Sequence, residues 1–207
     1  MNSSLRSALW TLPLAFFLWF VAFGLKDFGN FWFKLAPSAA LLALIALGLS
    51  RSELRSLFIF KPRHLWIGLL SAVLLYGFFW LGNQLTNAFL PFASDQIHTV
   101  YENKSQLDLA IIGLLLLFVM GPAEEIYWRG LIQRSLGTRF GCMARVLLAT
   151  SAYTLVHVFA LNLMLIVAAA VCGLFWGWLY QREKSLVPVI ISHSLWDLSI
   201  FVLFPLS

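Results

Sequence analysis

The sequence predicts an all-α fold, a polytopic transmembrane helix bundle of about seven spans, and three observations carry that expectation. Of its 207 residues, 61% are hydrophobic and only 11% charged, whereas a soluble domain has roughly 25% charged residues. Mean hydropathy is +0.86. Apolar runs of about 20 residues, the length of one crossing, recur along the whole chain between short polar connections. None of these connections is long enough to form a second domain, so residues 1–207 are expected to make a single transmembrane domain.

The apolar runs place the spans at about 8–25, 31–49, 65–84, 109–130, 142–161, 163–180 and 186–205. Trp10–Leu25 lacks a small-x-small site followed by a soluble domain, so it is read as an uncleaved first span and not a signal peptide. Ser50–His64 mixes Arg and Lys with Leu54, Leu57, Phe58 and Phe60, which suits either a short helix lying in the cytoplasmic interface or a surface loop. In the longest polar connection, Leu85–Asp108, Ile97, Val100 and Tyr101 have helical spacing behind Ser94 and Asp95, two residues suited to cap a helix start. This segment is read as a loop or as a lid over an external mouth. His64 and His98 are read as loop residues, and Cys142 and Cys172, whose spacing fits neither a disulfide framework nor a zinc site, as small buried hydrophobes. No cofactor is implied.

The net charge of +5 and pI near 9.5 could suggest nucleic acid, but the basic residues fall in short loops and not on a polar face, so no nucleic-acid partner is expected. Arg6, the group Arg51, Arg55, Lys61 and Arg63, the group Arg129, Arg134, Arg139 and Arg145, and the pair Arg182 and Lys184 occupy alternate connections. The other side has only Lys26, Lys34 and Lys104, accompanied by Asp27, Asp95, Glu102 and Asp108. This asymmetry predicts a multi-pass integral membrane protein with a cytoplasmic N-terminus and an external C-terminus. The lipid bilayer is its first partner.

Against that apolar background, residues 121–130 stand out. Glu124, Glu125 and Arg129 continue directly from the apolar run Leu109–Met120, and an ionisable group inside hydrocarbon costs roughly 2.5–3.5 kcal/mol on insertion scales. A functional role is the default reading. At 1.5 Å rise per residue, Glu124 lies about 15 Å from Arg134, His157 about 18 Å from Arg145 and His193 about 12 Å from Ser185. Three helices thus bring ionisable groups to one layer. His193 and Asp197 are four residues apart and share a helix face; Glu125 and Arg129 have the same spacing, in the order that favours an ion pair. Glu124 is rotated about 100° from Glu125. The expected division is Glu125 with Arg129 as a structural pair at the helix end and Glu124 free to face the histidines.

A carboxylate sheltered from bulk water suits general acid/base work, a histidine beside it can share a water, and a second histidine can donate to a developing oxyanion. That set describes a hydrolase without a protein nucleophile. Ser151, Ser192, Ser194 and Cys172 form no nucleophile–base pair by spacing. The blander readings are cytoplasmic anchoring for Glu124–Arg129, an interhelical hydrogen bond for His157, and Asp197 holding the tautomer of a structural His193. Tyr127, Trp128 and the scattered tryptophans are read as interface or core aromatics.

The residues also resemble a known family. Glu124-Glu125-Ile-Tyr-Trp-Arg129 matches the EExxxR motif of the CAAX-processing and bacteriocin-processing (ABI-type) glutamic intramembrane endopeptidases. Tyr153-Thr-Leu-Val-His157 resembles their FxxxH motif and His193-Ser-Leu-Trp-Asp197 their HxxxN/D motif, so the resemblance covers about residues 109–205. It implies a catalytic core there. Glu124 with His157 would activate water, His193 and residue 197 would face the scissile carbonyl oxygen, and Glu125 and Arg129 would support the motif helix. Asp197 stands where the eukaryotic enzymes have Asn; an ionised Asp cannot donate to an oxyanion, so Asp197 either orients His193 or is protonated. The compact chain is more similar to prokaryotic members, which implies a prokaryotic cytoplasmic membrane and a membrane protein or peptide substrate, including one cut near a C-terminal tail. Two other readings remain open: a zinc-dependent membrane protease using the histidines and a carboxylate, and a non-enzymatic proton-linked carrier or immunity scaffold.

Overall fold

The computed structural model describes residues 3–206, and every regular element in it is helical. Six helices are long and apolar enough to cross a membrane: α1 (Leu5–Gly24), α2 (Phe31–Leu49), α3 (Arg63–Phe89), α5 (Leu109–Leu136), α6 (Cys142–Ala160) and α7 (Leu163–Glu183). Between α3 and α5 lies the short helix α4 (Ala93–Tyr101), and the chain closes with α8 (Val187–Leu203). The seventh apolar run, expected at about 186–205, forms α8. α8 is apolar but shorter than the other six, because Pro188 sits in its first turn and Phe204 breaks helical geometry with φ −138°.

Local chemistry sets several of these boundaries. The Asn30 side chain accepts from Trp32 N at 2.9 Å and starts α2; Asp108 caps α5 through Ala110 N at 2.9 Å, and Asn162 caps α7 through Leu165 N at 2.9 Å. The expected caps of α4 are a correction. Ser94 and Asp95 lie inside its first turn, and the chain enters through Phe92 without a side-chain cap. The Ser50–His64 connection also differs from the expected interfacial helix. Only Leu54–Leu57 forms an α turn, and buried Leu57 accepts at its carbonyl from Leu186 N at 2.8 Å, so the segment is pinned into the bundle. His64 begins α3 fully buried, 3.7 Å from Glu183, and His98 lies exposed within α4; neither is a loop residue. Cys172 is buried as expected, but Cys142 is exposed at the start of α6.

Two apolar cores fill the bundle. One gathers α1, α2, α5 and α6 around Trp19, Trp32, Leu42, Ile112 and Trp128; the other gathers α3, α7 and α8 around Leu75, Trp176, Leu186 and Val189. Ile126 of α5 packs against both, so α5 runs along their seam. Its backbone leaves α geometry twice, in π-helical stretches at Leu116–Met120 and Ile126–Gln133. The first ends two residues before Pro122, whose ring and missing N–H cannot continue a regular α ladder. π segments of this kind concentrate at functional sites.

The connections gather at opposite ends of the bundle. At one end Arg134 pairs with Glu53 and Arg63 with Glu183 at 2.8 Å. At the other, Trp32 Nε1 donates to Asn103 O at 2.9 Å, Asn162 Nδ2 to Gln96 O at 2.7 Å, and Met164 N to Gln96 Oε1 at 3.0 Å. Tyr101 Oη donates to Ile200 O at 2.8 Å and accepts from Leu206 N at 3.1 Å. These ties fasten α4 across the basic-poor end as a cover.

Candidate active site

A cavity of about 340 Å³ opens beneath α4 and runs down to Glu124, Tyr153, His157, Cys172, His193 and Asp197. Four helices, α5 to α8, therefore contribute polar groups to one space, and Ala22 and Phe23 of α1 help wall it. Four of the six residues singled out in the sequence border the cavity: Glu124, His157, His193 and Asp197. Glu125 and Arg129 lie behind it, 0% and 2% exposed.

Gly121 brings α5 and α8 together. A Cβ at that position would lie 2.9 Å from Ser194 Cα, closer than side chains tolerate, so glycine permits a backbone approach that sets His193 against the Glu124–Glu125 turn. The outcome differs from the expected division of labour. Glu125 does pair with Arg129, whose Nη1 donates to Glu125 Oε1 at 2.8 Å, but the pair is buried within the helix and not at its end. Glu125 Oε1 also takes His193 Nδ1 at 2.6 Å. Both carboxylates thus address the histidines: Glu125 holds His193, while Glu124 borders the cavity with His157.

Arg129 is itself held in place. Its Nη2 donates to Gly173 O at 3.3 Å, and its guanidinium lies over the rings of Tyr153, at 5.0 Å, and Trp176, at 5.7 Å. Two aromatic faces and a helical carbonyl replace the water that a buried guanidinium would otherwise need. Trp176 has a second role that no sequence signal announced. Its ring stacks on His193 with centroids 3.6 Å apart and planes 17° apart, and its Nε1 donates to Ser192 Oγ at 3.2 Å. The other edge of His193 faces Asp197, with Nε2 to Oδ2 at 3.4 Å.

His157 is oriented differently. Its Nδ1 lies 2.7 Å from Tyr153 O, and a carbonyl can only accept, so Nδ1 carries the proton and Nε2 of the neutral ring holds the lone pair. The rings of Trp19, Phe23 and Tyr153 pack around it. At position 153 the ring and the backbone carbonyl make these contacts. Glu124 Oε2 is buried with no partner among the described residues, as is Oε2 of Glu125, a costly state for a carboxylate oxygen; of the two side chains, Glu124 is the one that borders the cavity.

The arrangement offers a carboxylate and a lone-pair imidazole beside a cavity large enough for solvent, with a second imidazole fixed by carboxylates and a stacked indole. Among the described residues, no group of three His, Cys, Asp or Glu side chains is arranged to hold a metal ion.

Residues 106–199 match the family model described as type II CAAX prenyl endopeptidase Rce1-like, a stretch that includes all three motifs. No curated protein and no solved structure matches the chain. Segment 106–199 is therefore similar to the Rce1-like family of CAAX proteases, and the chain that carries it is an all-α membrane protein.

Proposed function

We propose that the protein is an intramembrane endopeptidase that hydrolyses a peptide bond in a membrane-anchored protein or peptide. The observation that carries this reading is the single cavity on which Glu124, His157, His193 and Asp197 converge from three helices. A water held between Glu124 and His157 Nε2 gives a proton to Glu124 as its oxygen attacks the scissile carbonyl carbon. The carbonyl π electrons move onto oxygen, and Glu124 passes its proton to the departing amine as the C–N bond breaks. His193 is held by Glu125 at one nitrogen and faces Asp197 at the other, an environment that favours a proton on both. At 3.4 Å the Asp197 contact is long for a hydrogen bond, so Nε2–H is available to a developing oxyanion placed in line with it. Asp197 supports the charge of His193 in this scheme and does not itself donate. Trp176, Glu125 and Arg129 position His193.

The cavity mouth is lined by Lys26, Thr99, Glu102, Asn103 and Gln106, at the basic-poor end of the bundle. By the charge asymmetry of the connections this is the external face, so substrate enters from outside the cytoplasm under α4. An adjoining apolar groove of about 300 Å³ shares Leu116, Trp196, Asp197 and Phe201 with the cavity, and it receives the apolar anchoring segment of the substrate.

The test is mass spectrometry of membrane-anchored peptides incubated with wild type and Glu124→Gln, with and without chelator. Products that appear with wild type, persist in chelator and vanish with Glu124→Gln support the reading. Cleavage by Glu124→Gln at the wild-type rate overturns it. Loss of cleavage in chelator, restored by zinc, would replace it with a zinc mechanism.

A further inference from the structure

The end of the bundle opposite the cavity holds a second polar pocket, of about 290 Å³, between the ends of α5 and α7, the first turn of α6 and segment 56–59. Arg134, Arg145 and Lys184 line it, together with Tyr180, Leu57 and Ile59, and no carboxylate among the described residues does. The three cations are unequally engaged. Arg134 donates through Nε to Gly130 O at 2.9 Å and through Nη2 to Ser50 Oγ at 3.2 Å, and it pairs with Glu53. Arg145 Nε is buried and finds no partner among the described residues, and its guanidinium lies so close over Gly137 that a Cβ there would strike it.

Two of these placements run against local preference. Arg145 sits in the first turn of α6, where the helix dipole disfavours a cation. Lys184 ends α7 in left-handed geometry at φ 54°, a position where glycine or asparagine is usual and a side chain is strained. Burial, and then the Arg145 guanidinium, push the Lys184 ammonium below its ordinary value. The fold thus brings two uncompensated cations together beside a third.

We propose that this pocket binds a phosphate group, carried either by the headgroup of an anionic lipid or by a free phosphate ion. A phosphate presents several acceptor oxygens on one anion, which suits a guanidinium fork and an ammonium converging from different helices. Basic pockets between transmembrane helices at the cytoplasmic end are where anionic headgroups bind, and by the charge asymmetry this is the cytoplasmic end. Leu57 and Ile59 give the pocket an apolar wall next to that site.

The test uses the full chain in neutral detergent, with thermal unfolding and native mass spectrometry in three additions: phosphatidylglycerol, phosphatidylcholine and inorganic phosphate. Phosphatidylglycerol should raise the Tm of wild type and remain bound as an adduct, while phosphatidylcholine should do neither. Lys184→Gly relieves the left-handed strain, so it should keep the lipid-free Tm yet lose at least half of the phosphatidylglycerol shift, with about tenfold lower adduct occupancy. Arg145→Gln should lose as much. Equal shifts from inorganic phosphate, lost in the same variants, would identify the free ion as the ligand. Equal shifts from both lipids, or a full phosphatidylglycerol shift in Lys184→Gly, would overturn the proposal even if Arg145→Gln failed to fold.

Discussion

Glu124 and Glu125 share one turn of α5, and the fold treats them in opposite ways. Glu125 is sealed from solvent and takes two donors on one oxygen, Arg129 Nη1 and His193 Nδ1. Each leaves its Oε2 buried without a partner among the described residues, but Glu124 borders the cavity and stands in no ion pair there. A bundle that needed two charges only for cohesion would pair both. Committing one to the scaffold and leaving its neighbour unengaged is what a reaction centre requires, because a carboxylate locked in an ion pair cannot exchange protons with substrate. The two histidines divide in the same manner: His193 is clamped by a carboxylate and stacked on Trp176, whereas His157 is tethered only through Nδ1 and presents its other nitrogen.

This contrast can be broken experimentally, and the largest effect should come from Glu124→Gln. Peptide cleavage should fall by about 10²–10⁴-fold, measured by product formation in proteoliposomes, while the Tm stays at the wild-type value. A Tm collapse in that variant would mean that Glu124 belongs to the scaffold after all. Arg129→Met should do the reverse, costing roughly 3–5 kcal/mol in unfolding experiments because Glu125 is left buried and unpaired. The double variant Arg129→Met/Glu125→Gln should recover part of that loss by removing both charges; no recovery would show that the guanidinium contributes through packing on Tyr153 and Trp176 alone.

Two smaller effects sharpen the comparison. Gly121→Ala forces α5 away from Ser194, so it should cost about 1–3 kcal/mol and reduce cleavage, since His193 leaves the Glu124–Glu125 turn. A variant that loses stability but cleaves normally would separate the helix approach from the site. Asp197→Asn should change cleavage by less than about tenfold. Its oxygen already stands 3.4 Å from His193 Nε2, and the amide keeps an acceptor there while adding a donor. A loss as large as that of Glu124→Gln would place residue 197 among the reacting groups.

The helices were legible because bilayer chemistry writes them directly into composition. Helix α2 begins and ends where the apolar run does, and α5 and α6 begin within a residue of expectation. The motif residues were legible for the complementary reason, as the few ionisable groups in apolar surroundings. Partners across the bundle were not. The rotation of about 100° between Glu124 and Glu125 correctly separates their faces, but it assumes that only one face meets histidines. α5 is enclosed nearly all round, with Ala123–Glu125 and Tyr127–Gln133 buried without a break, so each face has a neighbour. The stacking of Trp176 and the burial of His64 depend on long-range packing, and neither leaves a periodic signature. The site also draws its wall from Trp19 and Phe23 of α1, a region with no motif.

The ties that hold α4 over the mouth have a consequence for what can be cut. Gln96 and Tyr101 moor the cover to the start of α7, to α8 and to the chain just after it, and the space beneath it, about 340 Å³, is near the lower limit for ordinary ligand pockets, about 300–1,000 Å³. If the protein is the peptidase proposed above, a folded domain would not pass, but a slack, extended stretch of backbone would. Selection among client proteins would then rest less on side-chain lettering than on local unravelling: a loose tail or a frayed juxtamembrane turn is admitted, and the same residues wound into a stable helix are refused.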